Sequence, residues 1–326
     1  MSKITVGVLR GGPSNEYEVS LATGTNILKA LREKLRDLYH VRDILISKDG
    51  VWHMDGAPKK IEEVLANIDV AFLALHGTYG EDGKIQKILE SFGKPFTGSG
   101  SLASAVAFNK VLSKKAFAKN SIKVALDKVI ESKLIKKESK KIAGEIFRTF
   151  SMPAVVKPVC SGSSVGVSIV KTATELEKAL LEATKHSDEV MVEEYIKGVE
   201  ATVGVIEGFR GEELYALPAV EIRPMTEFFD YTAKYTDGKS NDIVPATFPD
   251  KIKDELAKLA CNVHKSLGLR QYSRSDFIIH PKRGIFTLEV NTLPGFTDQS
   301  LIPRELRAVG SDSHELVDHL IKLALS

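Results

Sequence analysis

Apolar positions in the first hundred residues follow two rhythms. Residues 4–9, 41–47 and 70–75 are short apolar runs with the length of buried strands, and residues 16–35 read as a helix. Strand and helix patterns that alternate in this way predict a parallel α/β unit. Gly11-Gly12-Pro13-Ser14-Asn15 makes the turn between the first strand and its helix, and Pro95-Phe96-Thr97-Gly98-Ser99-Gly100 punctuates the end of the unit. Three segments are expected: 1–98, 99–192 and 193–326.

The second segment opens with a helix through Leu102, Val106, Lys110 and Phe117. Residues 153–157 read as a strand entering a Gly/Ser loop, with another strand at 167–170. Thr174-Glu175-Leu176-Glu177 has the form of a capping box opening a helix to about residue 185, and a strand follows at 190–196. The third segment is strand-rich as far as 219–222, then polar and irregular from 226 to 250. A long loop of that kind inside a compact domain is functional or mobile. A helix over 251–267 stops at Gly268, and a last helix starts at His314. Between them, 277–279 and 285–288 flank a Pro/Gly turn, the pattern of a β-hairpin.

Composition narrows the field without naming a chemistry. The 326 residues are 43% hydrophobic and 27% charged, ordinary for a globular protein with two or three cores. A formal net charge of +2 gives no bulk attraction for nucleic acid. The lysine-rich stretch 123–141 lacks interleaved aromatics and carries Glu131 and Glu138, so it reads as a solvated surface. Cys160 and Cys261 form no CxxC pair, which argues against zinc or a disulfide framework and fits a reducing cytoplasm. The first residues are a strand and turn, too short for a signal peptide, and no apolar run approaches the roughly 20 residues of a membrane helix.

The hairpin carries the strongest chemical signal. Folded about Lys282-Arg283, it sets Asp276 opposite Glu289 and Arg274 opposite Asn291, all on one face. Two carboxylates and an amide oxygen suit Mg²⁺, and a neighbouring guanidinium suits phosphate. The same pattern would also serve an amphipathic hairpin with its polar face in water. Lys157 precedes the loop Ser161-Gly162-Ser163-Ser164-Val165-Gly166, where backbone N–H groups can converge on phosphate oxygens; the order differs from the P-loop, whose lysine follows the glycines. Taken alone, such a loop is a flexible turn. Glu193-Glu194-Tyr195-Ile196 and Glu200 put acidic groups beside an apolar strand, able to meet a base and a ribose or simply to face water. Glu16 stands at a helix start, where it complements the dipole and equally suits a substrate ammonium. His76 opens a glycine loop at the carboxyl edge of the first sheet, the edge where ligands bind.

Together these motifs resemble the ATP-grasp superfamily, and within it the D-alanine–D-alanine ligase family. The resemblance runs from Gly11 to Leu301 through 11–20, 76–83, 96–100, 157–166, Ala233-Lys234-Tyr235, 274–276 and 289–297. The hairpin and lysine loop are common to many ATP-grasp enzymes; the first two motifs and the Ala-Lys-Tyr segment are specific to this family. The resemblance implies an α/β fold: an N-terminal Rossmann-like parallel-sheet domain and two α+β domains gripping ATP. It also implies that Lys110, Lys157, Ser163, Ser164 and Lys234 meet ATP phosphates. Glu193, Glu194, Tyr195 and Ile196 would line the adenine region, and Glu200 the ribose. Two Mg²⁺ (or Mn²⁺) would sit on Asp276, Glu289 and Asn291. Glu16 would bind the first D-alanine near His76. Ser163, Tyr235 and Glu16 would lock a loop over the site. Arg274 and the Gly295 N–H would stabilise an oxyanion, and Ser300 and Leu301 would take the second substrate's carboxylate. A cytoplasmic homodimer making D-alanyl-D-alanine for peptidoglycan is the expectation. A D-serine or D-lactate acceptor and a catalytically silent nucleotide-binding regulator are the rivals. Val159-Cys160-Ser161 and Val244 are small departures from the family pattern.

Overall fold

The computed structural model describes residues 3–224 and 240–326. Lys234 and Tyr235 therefore lie outside the described residues.

The N-terminal unit contains β1 (Ile4–Gly11), α1 (Tyr17–Glu33), β2 (Tyr39–Ile46), β3 (Trp52–Met54), β4 (Ala57–Pro58), α2 (Ile61–Ala66), β5 (Val70–Leu73) and α3 (Lys84–Ser91). Its sheet order is β4-β3-β2-β1-β5, with β1 parallel to both β2 and β5. A strand flanked by parallel neighbours is covered on both faces, which is why β1 reads as an unbroken apolar run and Val6, Val8 and Leu9 are fully buried.

Next come α4 (Ser101–Phe108), α5 (Lys110–Lys119), β6 (Asp127–Glu131), α6 (Ser132–Thr149), β7 (Ala154–Pro158), β8 (Ser168–Val170), α7 (Ala173–Ala183) and β9 (Glu189–Glu194). Their antiparallel sheet is ordered β6-β9-β7-β8. On α6 the isoleucines 135, 142 and 146 are buried while Lys133, Lys136, Lys137, Lys140 and Lys141 face water, so the lysine-rich stretch is a solvated helix face.

The last part holds β10 (Val199–Glu207), β11 (Leu214–Ala216), β12 (Val220–Pro224), β13 (Ser240–Ile243), α8 (Asp250–Ser266), β14 (Tyr272–His280), β15 (Gly284–Asn291), α9 (Leu301–Ala308) and α10 (Ser313–Leu325). Its sheet runs β13-β12-β10-β14-β15, with β11 also on β10.

Several local expectations change. The single helix expected from Leu102 to Phe117 is two helices, broken at Asn109, whose extended backbone and side-chain oxygen cap α5 through the N–H groups of Val111 and Leu112. The capping box is Thr172 with Glu175, two residues earlier than expected, because Thr172 has the extended backbone that a cap needs. The polar stretch expected as one loop contains β13, paired with β12.

The cores do not follow the three expected segments. Ala107 and Phe117 of α4 and α5 bury into the same cluster as Val203, Val205 and Leu256 of the C-terminal sheet and α8. Ile302, Leu316 and Leu320 of α9 and α10 join the core of the N-terminal sheet. A break between 192 and 193 would also cut β9, which continues through Glu194. Buried apolar surface ties these parts together irrespective of chain order.

Candidate active site

The hairpin of β14 and β15 pairs Arg274 with Asn291 and Asp276 with Glu289. The tip reaches that register by a route the sequence did not reveal. His280 pairs with Gly284 and Phe277 with Thr287, which by itself would place Leu288 opposite Asp276. A bulge between Asp276 and Phe277 absorbs one residue and restores Glu289 to that position. Asp276 then accepts from the Thr202 hydroxyl at 2.6 Å, from Arg274 Nε at 3.2 Å and from Asn291 Nδ2 at 3.3 Å.

Lys110 comes to this edge because the Asn109 cap starts α5 beside it. Its Nζ lies 3.4 Å from Glu289 Oε2 and donates to the Ser161 carbonyl at 2.7 Å. Its backbone N–H meets the Val159 carbonyl, so both ends of the residue grip the Gly/Ser loop. Among the described residues no three His, Cys, Asp or Glu side chains gather as a metal cluster. The hairpin has two carboxylates, and its third donor is an amide. That set still fits Mg²⁺: all three offer hard oxygens, Asn291 bonds Asp276 through nitrogen rather than oxygen, and Glu289 is partly open to solvent.

A second charged cluster lies beneath. Glu193 accepts from Lys157 and Lys114, each at 2.6 Å, and all three side chains are buried. Lys114 also reaches Asp127 at 2.6 Å and the Ala125 carbonyl at 2.7 Å. Asp127 stands opposite Glu193 across β6 and β9, and Lys157 lies diagonal to Glu193 across β7 and β9. Burial alone would raise the Glu193 pKa; Lys157 and then Lys114 overcome that and hold it below the usual carboxylate range. Burial disfavours the Lys157 ammonium, and Glu193 more than compensates, leaving its pKa raised. Lys114 was missed from the sequence, although it stands four residues after Lys110 and hence on the same helix face. The neighbouring Glu194 grips Arg283 at the hairpin tip through both guanidinium ends, with Nη2 to Oε2 at 3.1 Å. Tyr195 is half-buried, Ile196 packs on Phe286, and Glu200 stands between Ile278 and Ile222 on β10.

Two loops converge on Glu16, the residue just before α1. The Ser163 hydroxyl donates to its carboxylate. Ser163 and Ser164 have φ of +49° and +59°, left-handed conformations that cost a non-glycine residue about 1–2 kcal/mol each. A Cβ at Gly77 would lie 2.3 Å from Glu16 Oε2 and one at Gly162 2.7 Å, so only glycine allows either loop to approach this closely. His76 is buried and shares a 2.8 Å hydrogen bond between its Nε2 and Thr23 Oγ1. Burial drives its pKa down to about 4, so near neutral pH it offers hydrogen bonds and no charge. Glu81, also missed, accepts the Gly77 N–H at 2.9 Å and the Leu293 N–H at 3.3 Å, joining the glycine loop to the turn after β15. Burial, with the charge of Glu16, raises its pKa.

Ser300 closes the site. Its hydroxyl accepts from the Thr297 N–H at 3.1 Å and would lie 2.8 Å from any Cβ at Gly295. Ser300 is the cap residue of α9 and Leu301 its first residue, so unpaired helix N–H groups gather there, a favourable setting for a carboxylate.

Comparison with known proteins agrees with this geometry. Residues 5–65 and 55–99 match the family model described as D-ala D-ala ligase N-terminus, and 117–322 match the one described as D-ala D-ala ligase C-terminus. The chain belongs to the D-alanine–D-alanine ligase family. It is 42% identical over 98% of its length to the D-alanine–D-alanine ligase of Geotalea uraniireducens, covering 95% of that protein. The Geobacter sulfurreducens ligase is 40% identical over 97% of the chain and 92% of its own length. Among solved structures, the VanG D-Ala:D-Ser ligase of Enterococcus faecalis superposes with a TM-score of 0.84 at 29% identity, covering 99% of this chain and all of that one. The D-alanine–D-alanine ligase of Coxiella burnetii gives 0.83 at 25% identity, covering 100% of this chain and 94% of that one. The fold is thus the α/β ATP-grasp fold of this ligase family. No helix among the described residues is long and apolar enough to cross a membrane.

Proposed function

We propose that this chain joins two D-alanines into D-alanyl-D-alanine at the expense of ATP, the step that supplies the dipeptide for peptidoglycan. The observation that carries the reading is the hairpin register, which sets Arg274, Asp276, Glu289 and Asn291 on one edge with Lys110 beside them.

A free carboxylate acylates poorly because oxide would have to leave. In this reading the carboxylate oxygen of the first D-alanine attacks the γ-phosphorus of ATP, and the bond from phosphorus to the ADP oxygen breaks. The acyl phosphate so formed has a good leaving group. The neutral amine of the second D-alanine attacks its carbonyl, a tetrahedral oxyanion forms, the amine loses its proton and inorganic phosphate departs. Glu16 holds the first ammonium. Lys110, Lys157 and Lys234 neutralise phosphate charge, and Ser163 and Ser164 present the lid loop. Arg274 and the Gly295 N–H stabilise the oxyanion. Ser300 and Leu301 take the second carboxylate. Glu193 to Ile196 border the base and Glu200 the ribose. Asp276, Glu289 and Asn291 would hold two Mg²⁺ (or Mn²⁺), which when bound spread the phosphate charge. Ser163 and Glu16, with Tyr235, close the site against water, which would otherwise consume the acyl phosphate. A cytoplasmic homodimer completes the proposal.

The test is ADP release with D-alanine, L-alanine, D-serine and D-lactate offered in turn. D-alanine alone should support fast turnover and yield the dipeptide. ADP release that ignores D-alanine would overturn the assignment.

A further inference from the structure

Helix α9 begins at the residues that take the second substrate's carboxylate in the reading above, on which this inference rests. Two consecutive side chains one turn further on tie it to the sheet. Glu305 is fully buried, and its Oε1 accepts the Gly204 N–H at 2.8 Å. That bond fills a gap. Strand β10 pairs with β12 over 200–202 and with β11 over 205–207, so its neighbour changes around Gly204. The Gly204 carbonyl takes the Leu217 N–H, and the N–H is met by Glu305. On the other side of the same strand Gly204 pairs with Arg274. A Cβ at Gly204 would lie 2.4 Å from Ile302 Cδ1 and 3.0 Å from Glu305 Oε2, so the helix presses directly on the strand. The adjacent Arg304 reaches the opposite way. Its Nη1 lies 2.8 Å from Asp242 Oδ2 and its Nη2 donates to the Asp242 carbonyl at 2.6 Å. Asp242 is on β13, so the two contacts span β13, β12 and β10.

We infer that Arg304 and Glu305 are positioning residues for the acceptor half of the site: they brace α9 across three strands and so fix Ser300 and Leu301 relative to Arg274. An acceptor amine must meet the acyl carbon within a few tenths of an ångström of its productive position, and a helix start that can shift forfeits that alignment. The Glu305 Oε2 has no hydrogen-bond partner in the described structure, and burial raises the carboxyl's pKa to about 8, so it holds the Gly204 N–H as an uncharged acid near neutral pH. An isosteric amide can do the same.

The test uses Glu305→Gln, Glu305→Ala and Arg304→Met, each checked for a native circular dichroism spectrum. The Ala and Met variants should raise the KM of the second D-alanine roughly ten-fold, as expected for loss of a buried partner, with the constants for ATP and the first D-alanine near wild type. Glu305→Gln should restore the wild-type acceptor constant. Amide exchange at Gly204 reads the brace without turnover: it should accelerate in Glu305→Ala and stay slow in Glu305→Gln. Unchanged acceptor KM in both disruptive variants would overturn the inference. So would a fall in kcat with the acceptor constant unmoved, or Gly204 exchange that Glu305→Ala leaves slow. Wild-type protein inert toward D-alanine would sink the functional reading instead, and the exchange result would still stand.

Discussion

The Ser163 hydroxyl donates to the Glu16 carboxylate across 147 residues of sequence. One partner ends the turn after the first strand, and the other sits in a loop held in left-handed backbone. A single carboxylate thus reports the position of the loop and, in the proposed function, receives the ammonium of the first substrate.

Glu16→Gln should raise the KM of the first D-alanine by about 30-fold or more, since truncating one side of a partly buried charge pair costs about 2–5 kcal/mol. The ATP constant should change little. A role confined to the helix dipole predicts a stability loss of about 0.3–1 kcal/mol with near-normal kinetics. Both substrate constants and the melting temperature of one variant separate the two.

Glu289→Gln keeps the shape of the hairpin edge and removes one of its two facing carboxylates. Turnover should be nearly abolished, and saturating Mg²⁺ should not restore it. Wild-type-like activity at any Mg²⁺ concentration would exclude this edge as the metal site.

Lys114→Met leaves Glu193 its 2.6 Å ion pair with Lys157 and strips Asp127 of a partner. Breaking a buried pair costs about 3–5 kcal/mol, which denaturant titration can read. Glu193 has a lower pKa folded than its ordinary 4.5, so its contribution is complete above that value and is lost as pH falls through the folded one. Without Lys114 the folded pKa of Glu193 should move up towards its ordinary value, so the acid-side loss should be smaller and end at higher pH. An unchanged acid limb would show that Lys157 alone sets the charge on Glu193.

His76 gives a second pH signature. Its pKa is about 4 in the folded protein against 6.5 ordinarily, so between these values the unfolded chain binds the proton and the folded one does not. Stability should therefore fall on acidification from about pH 6.5 towards 4, by about 3 kcal/mol in all from this group. His76→Gln should show a shallower slope over that window. Parallel stability profiles for the two proteins would mean that His76 takes up its proton without unfolding.

Much of the site was legible in the chain because its residues are local. Period-two alternation placed Asp276, Glu289, Arg274 and Asn291 on one face before any fold was known, but their pairing across the hairpin depends on the bulge between Asp276 and Phe277, which the sequence did not reveal. Apolar runs and helix stops marked most elements to within a few residues. What the chain alone left undecided depends on contacts far apart in sequence. Only packing showed that Asn109 breaks a helix to aim Lys110 at Glu289, and that Glu193 belongs to two lysines. Only packing joined Glu81 to the turn after β15 and set α4 and α5 on the C-terminal core. Local preference acts through neighbouring residues and is written in the sequence. The partner of a buried charge is chosen by whichever opposite charge the folded chain brings within reach, because an unpaired one costs too much to bury.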